Sequence, residues 1–157
     1  MNVTAHTSTS AADPVAWLVH DHQVIRGYLD TLRRGNLGDD RPTLEALKKL
    51  LALHNAIEEN LVYPALAKLV GREDQAMELF HETAEADLLV FTLSQAAEQD
   101  DETAFKATLT DLIAAISDHV ELEETRAFPA LQAAPPGVQQ HLANQILQFK
   151  TAVTTPI

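Results

Sequence analysis

The chain has no cysteine, which excludes disulfides, thiolate metal sites and thiol nucleophiles together. Aromatic residues make up only 5% of it and glycine only five positions, and Val, Ile and Thr never gather into alternating runs. Strands are therefore not expected, while abundant Leu, Ala, Glu and Gln favour helix. No apolar run approaches the roughly 20 residues that a spanning helix needs. No Lys or Arg cluster offsets the formal net charge of -12, so phosphate backbones and anionic lipid heads are repelled, and neither nucleic acid nor a membrane is an expected partner. Met1 to Ala12 has neither a basic n-region nor an apolar h-region, so a cytoplasmic location is expected.

What is present reads as one domain, since 157 residues suffice for one well-buried core and not for two. Residues 1–12, rich in Thr, Ser and Ala, read as a flexible tail, and residues 13–152 as the domain. Asp13-Pro14 offers an N-cap and a first-turn proline to a helix that runs to about Arg33, with Val15, Leu18, Val19, Ile25, Leu29 and Leu32 in one stripe. Gly35 to Pro42 reads as a loop. A second helix follows, kinked or interrupted at Pro64 and closed at Gly71. A third spans about Glu73 to Gln99. Asp100 or Asp101 caps a fourth, which ends or bends at Pro129, and residues 138–150 form a short fifth. The expected class is all-α, an antiparallel up-down four-helix bundle with a short C-terminal fifth helix.

A unit occurs twice. His54-x3-Glu58-Glu59-x3-Tyr63-Pro64-Ala-Leu recurs as His119-x3-Glu123-Glu124-x3-Phe128-Pro129-Ala-Leu. A His and a Glu four apart on a helix are separated by about 40° around the axis and about 6 Å along it, so both can reach one ion. Each helix also carries a histidine in its apolar stripe: His22 among Leu18 and Ile25, His54 after Leu47 and Leu50, His81 between Met77 and Leu88, and His119 after Leu112 and Ile116. Four buried imidazoles need a shared partner. Their heights agree, because His22 and His54 stand roughly equally far from the first turn, as do His81 and His119 from the turn at Asp100 and Asp101. The expected ligands are His22, His54, His81 and His119 as terminal nitrogen donors, with Glu58 and Glu123 bridging two metals roughly 3.5 to 4 Å apart. Nitrogen and oxygen donors in this ratio suit iron, and also accept manganese or zinc. Ferritin-like sites use paired Glu-x-x-His motifs, and Glu78-x-x-His81 is the one such match here.

The pattern resembles the hemerythrin-like, or HHE cation-binding, family, whose order of His, His-x3-Glu, His, His-x3-Glu falls on His22, His54 with Glu58, His81, and His119 with Glu123. Asp21-His22 resembles the family's opening, and Tyr63-Pro64 and Phe128-Pro129 its helix ends. The resemblance spans about residues 13–131 and implies a non-haem di-iron centre that meets oxygen, hydrogen peroxide or nitric oxide. Oxygen-carrying members have a second third-helix His where this chain has Glu85, and an Asp ligand where it has Glu124. That difference shifts the expectation from oxygen carriage toward peroxide decomposition or oxygen and nitric oxide sensing, with a catalase/peroxidase-like or nitric-oxide-handling activity.

Glu85 is a candidate extra ligand, a support for an imidazole, or a solvated residue, and stays outside the ligand set. Tyr63 either anchors the helix kink or points its hydroxyl at the site. Glu59 and Glu124 face solvent or support the ligands from outside. His20 is the substitute on the first helix, and His6 and His141 have no role. The alternative functions are iron donation for iron-sulfur cluster repair and a metal-free helical interaction module. Protein partners and oligomeric state are not determined by the sequence.

Overall fold

The computed structural model describes residues 12–155, so residues 1–11 of the expected tail lie outside the described residues. Helix α1 (Pro14–Arg34) is capped by Asp13, whose Oδ1 accepts from the Ala16 amide at 3.1 Å. Helix α2 spans Leu37–Ile57 and continues through a π-helical turn, Glu58–Val62, into α3 (Tyr63–Lys68). Helix α4 is Glu73–Glu98 and α5 is Glu102–Leu122, again continued by a π turn, Glu123–Ala127, and α6 (Phe128–Gln132). Helix α7 spans Pro136–Thr154, longer than the short helix expected. No strand occurs among the described residues. The packing is that of an antiparallel helical bundle, with α7 laid across α1 and the first π turn. Among the described residues no helix is long and apolar enough to cross a membrane.

The expected loop at 35–42 is a correction, because α2 begins at Leu37. Asn36 caps it by accepting from the Asp39 amide at 3.0 Å, and Asp39 and Asp40 sit where the helix dipole favours acids. Pro42 lies inside the helix and forgoes one backbone bond there. The tight connection is held from outside. Glu102 of α5 accepts from the Leu37 amide at 3.0 Å, and Lys106 donates to the carbonyls of Leu32 and Gly35 at 2.7 and 2.6 Å. These long-range bonds satisfy helix ends that the local sequence leaves open.

Pro64 and Pro129 neither stop nor sharply break their helices. In the turn before each, the bond runs from residue i+5, with the Tyr63 amide bonding the Glu58 carbonyl and the Phe128 amide the Glu123 carbonyl. The inserted residue relieves the clash between a proline ring and the preceding turn, so the rod continues. It also turns residues five apart toward one side, which matters for Glu58 with Tyr63 and Glu123 with Phe128.

The core is in two parts. One holds Ile25, Leu29, Leu47, Leu93, Phe105 and Leu112; the other holds Leu18, Ile57, Leu66, Leu79, Phe128 and Ile146. Between them lies a layer of buried polar side chains: His22, His54, Glu58, Thr83, His119 and Glu123. The orientation of α4 is checked by truncation. Leu93 is wholly buried and Leu88 is 65% exposed, so Leu93→Ala should cost about 2–5 kcal/mol of unfolding free energy in urea titrations. Leu88→Ala should change it by less than about 0.5 kcal/mol.

Candidate metal centre

Three imidazoles converge on two carboxylates. His54 Nε2 is 3.0 Å from Glu58 Oε1, four residues on along the same helix. His119 Nε2 stands 3.2 Å from Glu123 Oε1 in the same relation. From α1, His22 Nε2 reaches Glu123 Oε2 at 3.1 Å and Glu58 Oε1 at 4.0 Å. The heights matched along the first hairpin do meet, since the rings of His22 and His54 are 5.0 Å apart. Ligand atoms of His22, His54, Glu58 and Glu123 all lie within 4.8 Å of one another. His119 closes the other side, 3.8 Å from Glu58 Oε2.

His22, Glu58 and Glu123 are 0% exposed, and although His22 Nε2, Glu58 Oε1 and Glu123 Oε2 lie close to opposite groups, none of the three makes a well-aligned hydrogen bond. Orphaned buried donors and acceptors are costly, and three of them facing one point are what a cation would satisfy. The outer ring nitrogens are all held. His22 Nδ1 meets Glu124 at 2.8 Å, His54 Nδ1 meets Asp21 at 3.2 Å, and His119 Nδ1 meets Glu82 at 3.1 Å. A carboxylate behind each ring fixes the tautomer and aims Nε2 inward, the arrangement that supports metal-binding imidazoles.

Tyr63 enters the same cluster. Its hydroxyl lies 2.9 Å from Glu58 Oε2, 2.8 Å from Glu123 Oε1 and 3.1 Å from His119 Nε2, with Thr83 Oγ1 at 3.3 Å. Phe128, its counterpart in the second repeat, stacks on His22 with ring centres 5.7 Å apart. The two halves are thus built alike and finished differently: two imidazoles and a phenyl wall on one side, one imidazole and a phenol on the other.

The structure does not bring His81 to the cluster. Its side chain is 78% exposed and lies 3.2 Å from Glu85, itself 64% exposed, so neither reaches the interior. The reason is that α4 is apolar on two faces. The stripe through Met77, His81 and Leu88 is the outer one, and the buried one runs through Ala76, Leu79, Thr83 and Ala86. His81, two residues from both Leu79 and Thr83, points the opposite way. Thr83 takes the inward position. A lone polar residue in an apolar stripe marks Thr83 as it marks the histidines, and that signal was available in the sequence. The supports Asp21 and Glu82 carry no such mark, because each is defined only by an imidazole on another helix. His20 and His141 are exposed.

The match to the Hemerythrin HHE cation binding domain covers residues 13–131. The chain belongs to that family. Neither curated proteins nor solved structures gave a match. A cation-binding domain is what the buried His and Glu cluster fits: its nitrogen and carboxylate oxygen donors lie close enough together to hold a cation.

The protonation of this HHE domain follows from the same contacts. Burial alone would lower the pKa of His54, but Glu58 and Asp21 overcome it and push the imidazole up to about 10. For His119 burial likewise opposes the charge, and hydrogen bonds to Glu123 and Glu58 push it up to about 11. Glu58 is raised by burial and lowered more by His54 and His119, which hold it well below the carboxylate range. Burial, then the charges of Glu58 and Glu123, push the Tyr63 phenol up. Without a cation His54 and His119 are therefore protonated partners of the carboxylates. Because His54 and His119 titrate above their ordinary value of 6.5, their contribution to stability is complete below about pH 6.5 and is lost as pH rises through about 10 to 11. That of Glu58 is complete above its ordinary 4.5 and is lost as pH falls through its lowered value. A metal needs neutral imidazoles and competes with these protons. Chelated protein should thus show a Tm that falls between about pH 7 and 10, while the increment in Tm from added divalent iron grows over that range. A flat profile for the chelated protein would contradict the ion pairing.

Proposed function

We propose that the cluster holds a non-haem di-iron centre that binds or reacts with a small oxidant: oxygen, hydrogen peroxide or nitric oxide. The observation that carries this reading is that Glu58 and Glu123 each turn one oxygen to the His22 and His54 side and the other to the His119 side. Carboxylates so placed can bridge two ions about 3.5 to 4 Å apart. His22 and His54 would hold the first ion and His119 the second, and a mixed imidazole and carboxylate set suits iron. Such a pair supplies two-electron redox chemistry; the chain positions it, keeps bulk water out and sets the charge around it.

Tyr63 completes the second half in this reading. With no cation its phenol stays protonated and shares its one proton between Glu58 and Glu123, whereas an ion beside it would favour the phenolate and Tyr63 would then help to hold that ion. Three imidazoles leave coordination positions for a small molecule, which favours peroxide decomposition or oxygen and nitric oxide sensing over reversible oxygen carriage. The zero exposure of His22, Glu58 and Glu123 excludes large substrates. The same burial disfavours iron donation, which needs labile metal. The orphaned polar atoms disfavour a metal-free interaction module.

Protein expressed with iron should contain about two irons per chain and show charge-transfer absorption. His119→Ala should lower the iron content sharply, whereas His81→Ala and His141→Ala should leave it unchanged. Tyr63→Phe should remove a visible phenolate-to-ferric band while the iron bound by His22 and His54 remains. Spectroscopically silent protein with a single zinc would overturn the di-iron assignment. Turnover of peroxide or nitric oxide beyond the metal stoichiometry separates an enzyme from a sensor, which would give a stable, reversible adduct.

A further inference from the structure

The outward face of α4 carries Met77, His81, Ala84, Leu88 and Phe91, spaced four, three, four and three residues apart. That is the spacing of a helix-to-helix seam, extending over about 21 Å. Met77, Leu88 and Phe91 are 67%, 65% and 60% exposed. Scattered exposed apolar side chains are ordinary, but large ones aligned along one helix mark a docking face.

Charge selects the occupant. Helix α4 contains no lysine or arginine. By helical position Glu78 and Glu85 border the stripe on one side and Asp87 and Glu98 on the other, all exposed. A second copy docked through this face would set carboxylates against carboxylates, and an anionic lipid surface would be repelled. We infer that the outward face of α4 docks an amphipathic helix of a partner protein, one whose apolar stripe is bordered by lysine or arginine. Met77, Leu88 and Phe91 supply the apolar contact and the flanking carboxylates supply register and sign selection. None of these residues belongs to the metal cluster, so the inference stands apart from the di-iron reading.

The test uses the iron-loaded full chain and a synthetic helical peptide of about 21 residues, with leucine at the seam positions and lysine beside them. A matched peptide carries glutamate in place of the lysines. Binding is followed by fluorescence anisotropy at two salt concentrations. The lysine peptide should bind one per chain and weaken with salt, and Leu88→Glu or Phe91→Glu should weaken it by about tenfold or more. Leu147→Glu, at a 50% exposed position on α7, should leave binding unchanged. All three positions are exposed, and unaltered helix content and iron content in the variants would show that a loss of binding is not a loss of fold. Absence of binding, equal binding to wild type and both α4 variants, or equal binding of the glutamate peptide would overturn the inference. A concentration-dependent dimer in sedimentation, abolished by Leu88→Glu, would overturn it in favour of a second copy.

Discussion

Two carboxylates with no exposure to water, Glu58 and Glu123, impose the arrangement of everything around them. A buried acid must be neutralised, hydrogen-bonded or ligated. Here each is surrounded by imidazole nitrogens and by the Tyr63 hydroxyl. Those imidazoles are buried too and require partners of their own, which Asp21, Glu82 and Glu124 supply from the edge of the bundle. Acidic and basic groups therefore alternate outward from the centre: central acids, imidazoles, outer acids. Helices α1, α2, α4 and α5, with the π turns that continue α2 and α5, each contribute to one of these rings, so the polar layer couples their positions along their axes. The apolar residues above and below it could slide by a turn with less loss than the layer could.

The duplicated unit shows how a local backbone feature builds half a site. In each copy the His and Glu share one helical face, and the π turn that begins at the Glu brings the aromatic residue five positions later to the same side. Proline follows immediately, and the widened turn accommodates its ring. The same backbone thus delivers three inward groups from one short segment. One hydroxyl distinguishes the copies. Tyr63 brings a phenol to the His119 side, and Phe128 gives only a ring face to His22. The cluster between these halves is therefore unequal on its two sides.

Helix α4 is the least committed of the inner elements. It supplies Thr83 and Glu82 to the polar layer and no inward imidazole. Its other apolar face is left to solvent, where the acidic margin governs what could cover it. The outward histidine and the missing inward one have the same origin: a helix with two apolar stripes half a turn apart has no single buried direction defined by its own sequence.

The residue pattern alone determined the helical class, the main helix boundaries marked by Asp13, Gly71 and Asp101, and the recurrence of the His-x3-Glu unit. All of these depend on periodicity, capping and composition, which act over a few neighbouring residues. It misread Gly35 to Pro42, because the bonds from Glu102 and Lys106 that secure the tight turn come from a distant helix. It turned His81 inward where the fold buries Thr83, since both stripes of α4 satisfy helical spacing and only packing against α5 and α3 selects one. Nor could it assign Asp21, Glu82 and Glu124 to their imidazoles. Which carboxylate stands behind which ring depends on the rotation and height of helices far apart in the chain, and those are decided only when the bundle closes around its buried acids.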